Sequence, residues 1–215
     1  MKRAATSVGL VLLFSLGAAA QQTGLTDAQR KAAEAEVPQL VSLLELKPGM
    51  TVADVGAGFG AWTMRFASWI GPSGRVFATD VGGPQLAALR ETVQREKLAN
   101  VTVIEGATAS TNLPALCCDA ILVRDAYHHF TQPEDMVRSL AAALKPGGRL
   151  AVIDFPPRPA SEVPAGVPVN RGGHGIPHEV VRREAGASLA YVTTIEKWAP
   201  DGQPAALYLV MFRKP

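Results

Sequence analysis

A glycine-rich segment carries the clearest chemical signal in the chain. Residues 52–60 read Val-Ala-Asp-Val-Gly-Ala-Gly-Phe-Gly, with a short apolar run before the glycines and an amphipathic stretch after them. Gly56 and Gly58 let the backbone turn tightly and approach a ligand without a Cβ clash. The amides that open the following helix have no partner inside it and therefore face the ligand. The segment predicts a nucleotide-type pocket at the carboxyl end of the first strand.

Two acidic residues near this loop bear on which ligand it takes. Asp54 lies two residues before Gly56, where a carboxylate suits a cationic ligand group better than a pyrophosphate. Asp80 ends the next predicted strand, where an acid can accept hydrogen bonds from both hydroxyls of a ribose. Dinucleotide-dependent oxidoreductases use an acid in the same way, and residues 56–61 also satisfy their loose G-x-G-x-x-A pattern. The glycines alone therefore leave the cofactor open.

A second group of polar side chains, after the fourth predicted strand, suits proton transfer. Tyr127, His128 and His129 are adjacent there. Imidazole titrates near neutral pH, so either histidine is a candidate catalytic base, and Tyr127 could orient a substrate. The alternative is that one histidine packs inside or caps the next helix while the other is partly exposed. His174 could close over the substrate or make a hydrogen bond at a helix start.

Metal and cysteine chemistry are not expected. Adjacent histidines point in different directions in most backbones, and no acid-rich cluster surrounds them, so we predict no metal site. Cys117 and Cys118 are neighbours in the sequence. A disulfide between adjacent residues is strained, and buried free thiols are the preferred interpretation. Arg124 either meets an anionic substrate or forms a surface ion pair.

Alternating strands and helices must position these side chains. From residue 52 onward, short apolar runs alternate with amphipathic stretches, which predicts an α/β fold with a mostly parallel sheet. The last two strands leave no room for a helix between them and predict an antiparallel hairpin at one edge. The predicted strands are 52–55, 76–79, 101–104, 120–123, 150–154, 190–198 and 206–212. The predicted helices are 61–70, 84–97, 133–144, which ends at Lys-Pro-Gly-Gly, and 177–184.

Two segments lie outside this alternation. Thr26 and Gln29 form a capping box that starts a helix ending near Glu36, and Pro38 fits the first turn of a second, short helix. Farther along, residues 155–176 carry five prolines and four glycines. A segment of this length is either a lid over the site or a flexible insertion.

The net charge of +2 originates at the start of the chain. The 215 residues include 21 lysines and arginines against 19 acids, and Lys2 and Arg3 account for the difference. An otherwise neutral chain argues against a nucleic-acid partner, because phosphate contacts need a basic face. Hydrophobic residues make up 47% and charged residues 19%, which argues against disorder.

Residues 1–20 match the pattern of a secretory signal peptide. A basic start precedes an apolar run that ends near Leu16, and Ala18 and Ala20 fit a cleavage site before Gln21. The run is too short to span a bilayer comfortably, since about 20 apolar residues are needed. We expect export to the periplasm or beyond, with no stable membrane span after cleavage. An uncleaved apolar tail or an interfacial helix is the alternative.

Four segments in this order and spacing resemble those of the class I S-adenosylmethionine-dependent methyltransferases. They are VADVGAGFG at 52–60, the acid at Asp80, CDAILVRDAYHHF at 118–130 and LKPGGRLAVIDF at 144–155. The chain looks closest to small bacterial methyltransferases with a YHH segment and is more distantly similar to the ubiquinone/menaquinone methyltransferases. The resemblance implies a Rossmann-like, seven-stranded, mostly parallel sheet with an antiparallel C-terminal hairpin and helices on both faces.

The resemblance also implies a cofactor and its contacts. S-adenosyl-L-methionine and a small-molecule acceptor would bind a domain at 51–215, preceded by N-terminal helices at 21–50. Asp54 would lie near the amino group of the cofactor's methionine part, Asp80 would hold its ribose hydroxyls, and Val81 would pack on its adenine. The implied cofactor contacts are Asp54, Gly56, Ala57, Gly58, Asp80, Val81, Thr108 and Asp125, the last lying where methionine part and substrate meet.

One position departs from the family pattern. Many members place an Asp after the third strand to bind the adenine amino group, whereas residues 105–109 read Glu-Gly-Ala-Thr-Ala. Thr108 or the backbone could substitute.

A dinucleotide-dependent oxidoreductase and a non-catalytic binding protein on the same scaffold remain alternatives. The second is raised by the export signal, because S-adenosyl-L-methionine is made in the cytoplasm.

Overall fold

The computed structural model describes residues 24–158, 162–171, 173–200 and 207–215. The predicted signal peptide lies outside the described residues. Within these ranges, no helix is both long enough and apolar enough to cross a membrane.

A seven-stranded sheet organises the described chain. The order across the sheet is β3-β2-β1-β4-β5-β7-β6, for strands β1 Thr51–Val55, β2 Arg75–Val81, β3 Val101–Gly106, β4 Cys118–Arg124, β5 Leu144–Asp154, β6 Ala190–Trp198 and β7 Leu207–Arg213. The first five strands run parallel, and β7 pairs antiparallel with both β5 and β6. The predicted Rossmann-like sheet with an antiparallel C-terminal hairpin is confirmed.

Helices cover both faces of this sheet, as predicted. They are α1 Asp27–Leu43, α2 Ala61–Ile70, α3 Pro84–Arg95, α4 Pro133–Ala143 and α5 His178–Ala185. Successive strand residues face opposite sides: Val52 packs in the cluster of α1 and α2, whereas Ala53 packs in that of α4 and α5. Leu89 of α3 packs on Ala78 of β2. Because both faces are buried, the central strands read as continuous apolar runs.

The N-terminal region forms one helix rather than the two that the sequence predicts. The capping box is confirmed, with the Gln29 amide donating to Thr26 Oγ1 at 3.2 Å. Pro38 lies inside α1, although an interior proline costs a helix about 3 kcal/mol. Val37 and Leu40, on either side of it, are buried in the core shared with α2. Burial of this face on both sides of Pro38 outweighs the interruption.

Strand β5 begins earlier than predicted. The Lys-Pro-Gly-Gly sequence at 145–148 lies within the strand as an irregular stretch, because Cys118 pairs with Leu144 while Ala120 pairs with Arg149. Gly147 has a φ of 79°, which glycine adopts at little cost. The expected turn therefore bulges out of the strand without ending its pairing.

The cysteines also differ from expectation. Cys117 and Cys118 form a vicinal disulfide where β4 begins, so the interpretation as free thiols is wrong. In a strand, neighbouring side chains point to opposite faces of the sheet. Cys117 precedes β4, so this alternation does not separate its side chain from that of Cys118. Cys118 is fully buried.

Candidate active site

Two cavities lie at the carboxyl ends of the parallel strands. The larger has a volume of about 500 Å³, within the range of roughly 300–1,000 Å³ typical of small-molecule sites. The smaller has a volume of about 170 Å³. Gly56, Gly58 and Asp125 line both, so the cavities are two compartments of one cleft that meet at the glycine loop.

The glycine loop is fixed by its neighbours. Gly56 and Gly58 have φ values of 73° and 52°. The amides of Gly56 and Ala57 donate to the Thr79 carbonyl at 2.8 and 3.1 Å. A Cβ on Gly56 would lie 2.4 Å from the Cβ of Ala126. This close approach and the positive φ together require glycine at position 56.

Asp80 and Val81 line the larger cavity. The Gly58 amide donates to Asp80 Oδ2 at 2.7 Å, which ties the loop to the end of β2. Burial raises the pKa of Asp80, and hydrogen bonds from the amides of Gly58 and Val81 partly offset this. The Val81 side chain is 52% exposed. The Asp80 carboxylate can accept hydrogen bonds from the hydroxyls of a sugar, and the exposed Val81 beside it offers an apolar surface to a planar ring joined to that sugar.

Asp54 lies in the lining of the smaller cavity. Its side chain is buried, and the Thr63 hydroxyl donates to Oδ2 at 2.6 Å. Desolvation raises the pKa of Asp54 to about 6, and the charge of Asp80 adds to this, while the hydrogen bond from Thr63 opposes it. A buried carboxylate held by a neutral hydroxyl would be stabilised by a ligand cation.

A polar cluster that the sequence analysis missed closes the smaller cavity. Arg124 Nε and Nη2 donate to the two carboxylate oxygens of Glu36 at 2.9 and 3.0 Å, and Trp62 Nε1 donates to Glu36 Oε2 at 2.8 Å. The guanidinium carbon lies 3.9 Å from a ring centroid of Trp62. Arg124 thus forms a largely buried ion pair rather than a surface one. Glu36 falls on the apolar face of α1 near Leu40. An acid in this position is the sequence signal that could have indicated a buried ion pair.

The turn after β4 separates the three predicted catalytic residues. His129 lines the larger cavity. His128 lies behind it, 2% exposed, with its Nδ1 2.8 Å from Oδ1 of Asp154. Tyr127 is fully buried and lines neither cavity. A role for Tyr127 in orienting a substrate therefore has no support, because its side chain packs into the core beside the cleft.

The surroundings of His129 keep its imidazole neutral. Desolvation, followed by the charges of His128 and His174, lowers the pKa of His129 to about 4. At neutral pH the ring is therefore a weak base. It retains an unprotonated nitrogen that can accept a hydrogen bond or bind an ion.

Asp125 and Thr108 occupy different parts of the cleft. Asp125 lines both cavities and has a φ of 54°, a rare conformation for a residue other than glycine. Desolvation and the charge of Asp154 raise the pKa of Asp125. Thr108 lines the larger cavity, where its Oγ1 accepts a hydrogen bond from Gln132 Nε2 at 3.4 Å. It lies where the sequence departs from the family's acid.

The described part of residues 155–176 forms a wall beside the histidines. Arg171 is buried, and its Nη1 donates to the Phe130 carbonyl at 2.9 Å. The segment places the ring of His174 5.1 Å from that of His128, measured between centroids. His174 therefore contacts the other histidines and not the start of α5.

Comparison with known proteins bears on this site. Residues 52–148 match the family of methyltransferase domains. The ubiquinone/menaquinone biosynthesis C-methyltransferase UbiE of Ectopseudomonas mendocina is 32% identical over 116 residues, which is 54% of this chain and 45% of that protein. The chain thus spans about half the length of the curated relatives it matches.

Solved structures share the fold over most of the chain. An S-adenosylmethionine-dependent methyltransferase from Aquifex aeolicus aligns with a TM-score of 0.68 and 24% identity, covering 88% of this chain and 94% of its own. The cyclase SpnF aligns with a TM-score of 0.65 and 18% identity, covering 84% and 81%. These TM-scores show a common fold, and at these identities the likeness shows the fold alone. The second neighbour is named as a [4+2]-cyclase, so the fold alone does not determine the reaction.

Proposed function

We propose that this chain, which carries a class I S-adenosylmethionine-dependent methyltransferase domain, transfers a methyl group to a small-molecule acceptor. The family and the structural neighbours imply S-adenosyl-L-methionine as the cofactor. The observation that carries the proposal is the cleft itself, in which each compartment around the glycine loop has an acid of its own. Asp80 lines the larger compartment and Asp54 the smaller, and Asp125 lines both.

The chemistry of the cleft fits this cofactor. Asp54 would hold the cationic amino group, because a buried acid gains most from a charged partner. Asp80 would accept hydrogen bonds from the ribose hydroxyls, and the exposed Val81 would pack on the adenine. The backbone of Gly56 is accessible to a ligand in the cleft, because this residue has no side chain and a Cβ would clash with Ala126. When bound, S-adenosyl-L-methionine supplies a methyl group activated by its sulfonium.

The protein would act chiefly by positioning the acceptor. Alignment of reacting groups can contribute roughly 7–11 kcal/mol. Phe130 and Met136 give the larger cavity an apolar wall, and His129 adds a hydrogen-bond acceptor beside them. Asp125 lies where the two compartments meet. The neutral imidazole of His129 would hold an acceptor hydroxyl, thiol or amine, and His128, fixed by Asp154, would support it from behind.

Calorimetry with S-adenosyl-L-methionine, S-adenosyl-L-homocysteine and NADH tests the cofactor assignment. We expect binding of the first two with one molecule per chain, and none of NADH. Binding of NADH alone would replace the proposal with an oxidoreductase. Turnover is then measured as release of S-adenosyl-L-homocysteine with a panel of phenols, thiols, amines and carbon acids. Tight cofactor binding without turnover of any acceptor would favour the non-catalytic alternative.

A further inference from the structure

Three imidazoles converge at the side of the cleft that His129 lines. The ring centroids of His128 and His129 are 4.0 Å apart, and that of His174 lies 5.1 Å from the first and 6.0 Å from the second. One ring nitrogen from each residue lies within 4.8 Å of the other two. The sequence predicts no metal site here, because adjacent histidines usually point apart. The 3₁₀ turn at Tyr127–His129 instead brings both rings together, and the segment before α5 adds the third.

We propose that His128, His129 and His174 form a binding site for a divalent transition-metal ion of the zinc class. Three imidazoles that leave one position open are the ligand set of catalytic zinc sites. Imidazole also suits copper, nickel and ferrous iron, whereas magnesium and calcium prefer oxygen ligands. The three nitrogens lie within 4.8 Å of one another, and rotation of the side chains would bring them onto one ion.

The surroundings of the cluster fit this role. Asp154 is fully buried and lies 2.8 Å from His128 Nδ1, which leaves Nε2 of that ring as the free nitrogen. A carboxylate in this position is the usual partner of a metal-binding histidine, because it fixes the ring and increases its basicity. The ring of Phe155 packs 4.7 Å from His128 and 5.5 Å from His174, between centroids. Two of the three rings are thus held in place.

Two carboxylates lie beside the cluster. Oxygens of Asp125 and Asp154 lie within 4.8 Å of a ring nitrogen of His128 and of each other. A divalent ion beside these carboxylates would be attracted to both. The cationic side chains of Arg124 and Arg158 also act on Asp125 and oppose part of this attraction.

The role of the ion rests on the proposed function. His129 lines the larger cavity, as does Asp125, so the open coordination position would face the acceptor, and in the metal-loaded protein the ion would hold the acceptor in place of the His129 nitrogen. A bound zinc ion lowers the pKa of a coordinated hydroxyl or thiol, which favours acceptors with an oxygen or sulfur nucleophile. On coordination the acceptor gives its proton to solvent. Its oxygen or sulfur then bonds to the methyl group while the methyl–sulfonium bond breaks and leaves its electron pair on the departing sulfur.

Titration with Zn²⁺ alone tests the site. Untagged full-length protein is stripped with EDTA, freed of chelator and titrated by calorimetry. We expect one ion per chain, with affinity reduced by about 10- to 100-fold in Asp154→Asn and by more in His174→Ala. His178→Ala is the matched control, because His178 lies outside the cluster and packs on the ring of Tyr208. Its affinity should equal that of the unchanged protein.

A second readout reports the geometry. Co²⁺ in place of Zn²⁺ should give the visible absorption of a tetrahedral site in the unchanged protein and in His178→Ala, and lose it in His129→Ala. Circular dichroism verifies that each variant is folded, and His174→Gln replaces His174→Ala should the latter fail to fold. No saturable binding by the unchanged protein, or equal losses in His174→Ala and His178→Ala, would overturn the site. Neither readout uses S-adenosyl-L-methionine, so failure of the metal site is distinguishable from failure of the methyltransferase proposal.

Discussion

The burial of the Asp54 carboxyl is costly to the folded protein. Its carboxyl is buried and its pKa is raised to about 6. A raised pKa in an acid means that the ionised form destabilises the fold at neutral pH, and that this cost disappears as the carboxyl becomes protonated. A ligand cation beside Asp54 would offset this cost. We therefore propose that Asp54 is a binding residue of the cleft.

We predict that the affinity for S-adenosyl-L-methionine falls as the pH is lowered through about 6. Below this pH the Asp54 carboxyl is protonated in the free protein and loses its attraction for the cofactor's amino group. Calorimetry from about pH 5 to about pH 8 measures the effect. Asp54→Asn still offers Thr63 an acceptor, and it should bind weakly without this pH dependence. A slope that persists in Asp54→Asn would assign the pH dependence to Asp80 or Asp125, whose pKa values are also raised.

The carboxylate of Asp80 is expected to contribute directly to cofactor affinity. We predict that Asp80→Ala weakens S-adenosyl-L-methionine binding by roughly 1–3 kcal/mol, or about 5- to 150-fold, through lost hydrogen bonds to the ribose. Asp135→Ala serves as the control, because Asp135 is an acid on α4 that lines neither compartment of the cleft. Unchanged affinity in Asp80→Ala would show that the cofactor lies elsewhere.

At the scale of elements, the site depends on how strand ends turn into helices. Gly56, Gly58 and Gly60 follow β1 with positive φ, and α2 begins at the next residue, Ala61. Asp125 makes a comparable turn at the end of β4 with a φ of 54°. These two turns lie side by side because β1 and β4 are neighbours in the sheet. Neighbouring strand ends thereby place the loop and Asp125 in one cleft.

The loop offers a matched pair of substitutions that separate backbone strain from steric clash. We predict that Gly58→Ala destabilises the fold by about 1–2 kcal/mol, the cost of a left-handed conformation for alanine. Gly56→Ala adds overpacking, typically about 1–3 kcal/mol, because its Cβ would meet Ala126 whereas position 58 is open. Urea denaturation measures both. Equal losses in the two variants would show that Ala126 moves aside without cost.

The vicinal disulfide belongs to the same scale, since it lies at the start of β4. We predict that iodoacetamide labels neither Cys117 nor Cys118 in protein unfolded without reductant. After reduction it should label both. Labelling of both cysteines without reductant would restore the interpretation as buried free thiols.

At the scale of the whole molecule, we propose that residues 1–20 direct export. The basic start, the short apolar run and the small residues before Gln21 support this. A disulfide accords with an oxidising compartment, because such bonds are rare in the cytosol. An exported methyltransferase would need its cofactor outside the compartment that makes it. Mass spectrometry of the protein isolated from its native compartment would therefore report the cofactor that it carries.

Export also makes a direct prediction about the mature chain. When the full-length chain is produced in a Gram-negative host, the protein should be recovered from the periplasm or medium. Its measured mass should equal that of a chain that begins at Gln21. Replacing Lys2 and Arg3 by glutamate should retain it in the cytoplasm, because the basic start is the part of the signal that these residues supply. Full-length protein found only in the cytoplasm would contradict the signal peptide.

The sequence by itself determined the sheet and the glycine loop at the end of its first strand. Short apolar runs in the strands, amphipathic helices and the glycines at 56 and 58 are local patterns, so their spacing can be read along the chain. Asp54 and Asp80 follow from the same reasoning, because the carboxyl ends of parallel strands meet at one edge of the sheet. Val81 directly follows Asp80 at the end of β2, so it lies at the same edge of the sheet.

Only the tertiary structure decided which distant residues meet. His174 is separated from His128 by a segment rich in proline and glycine, and no periodicity indicates where such a segment returns. The pairing of Glu36 with Arg124 depends on α1 packing over the end of β4. Pro38 remained helical because the core buries residues on both sides of it. In each case the deciding free energy came from contacts between elements, and a pattern within one element does not contain it.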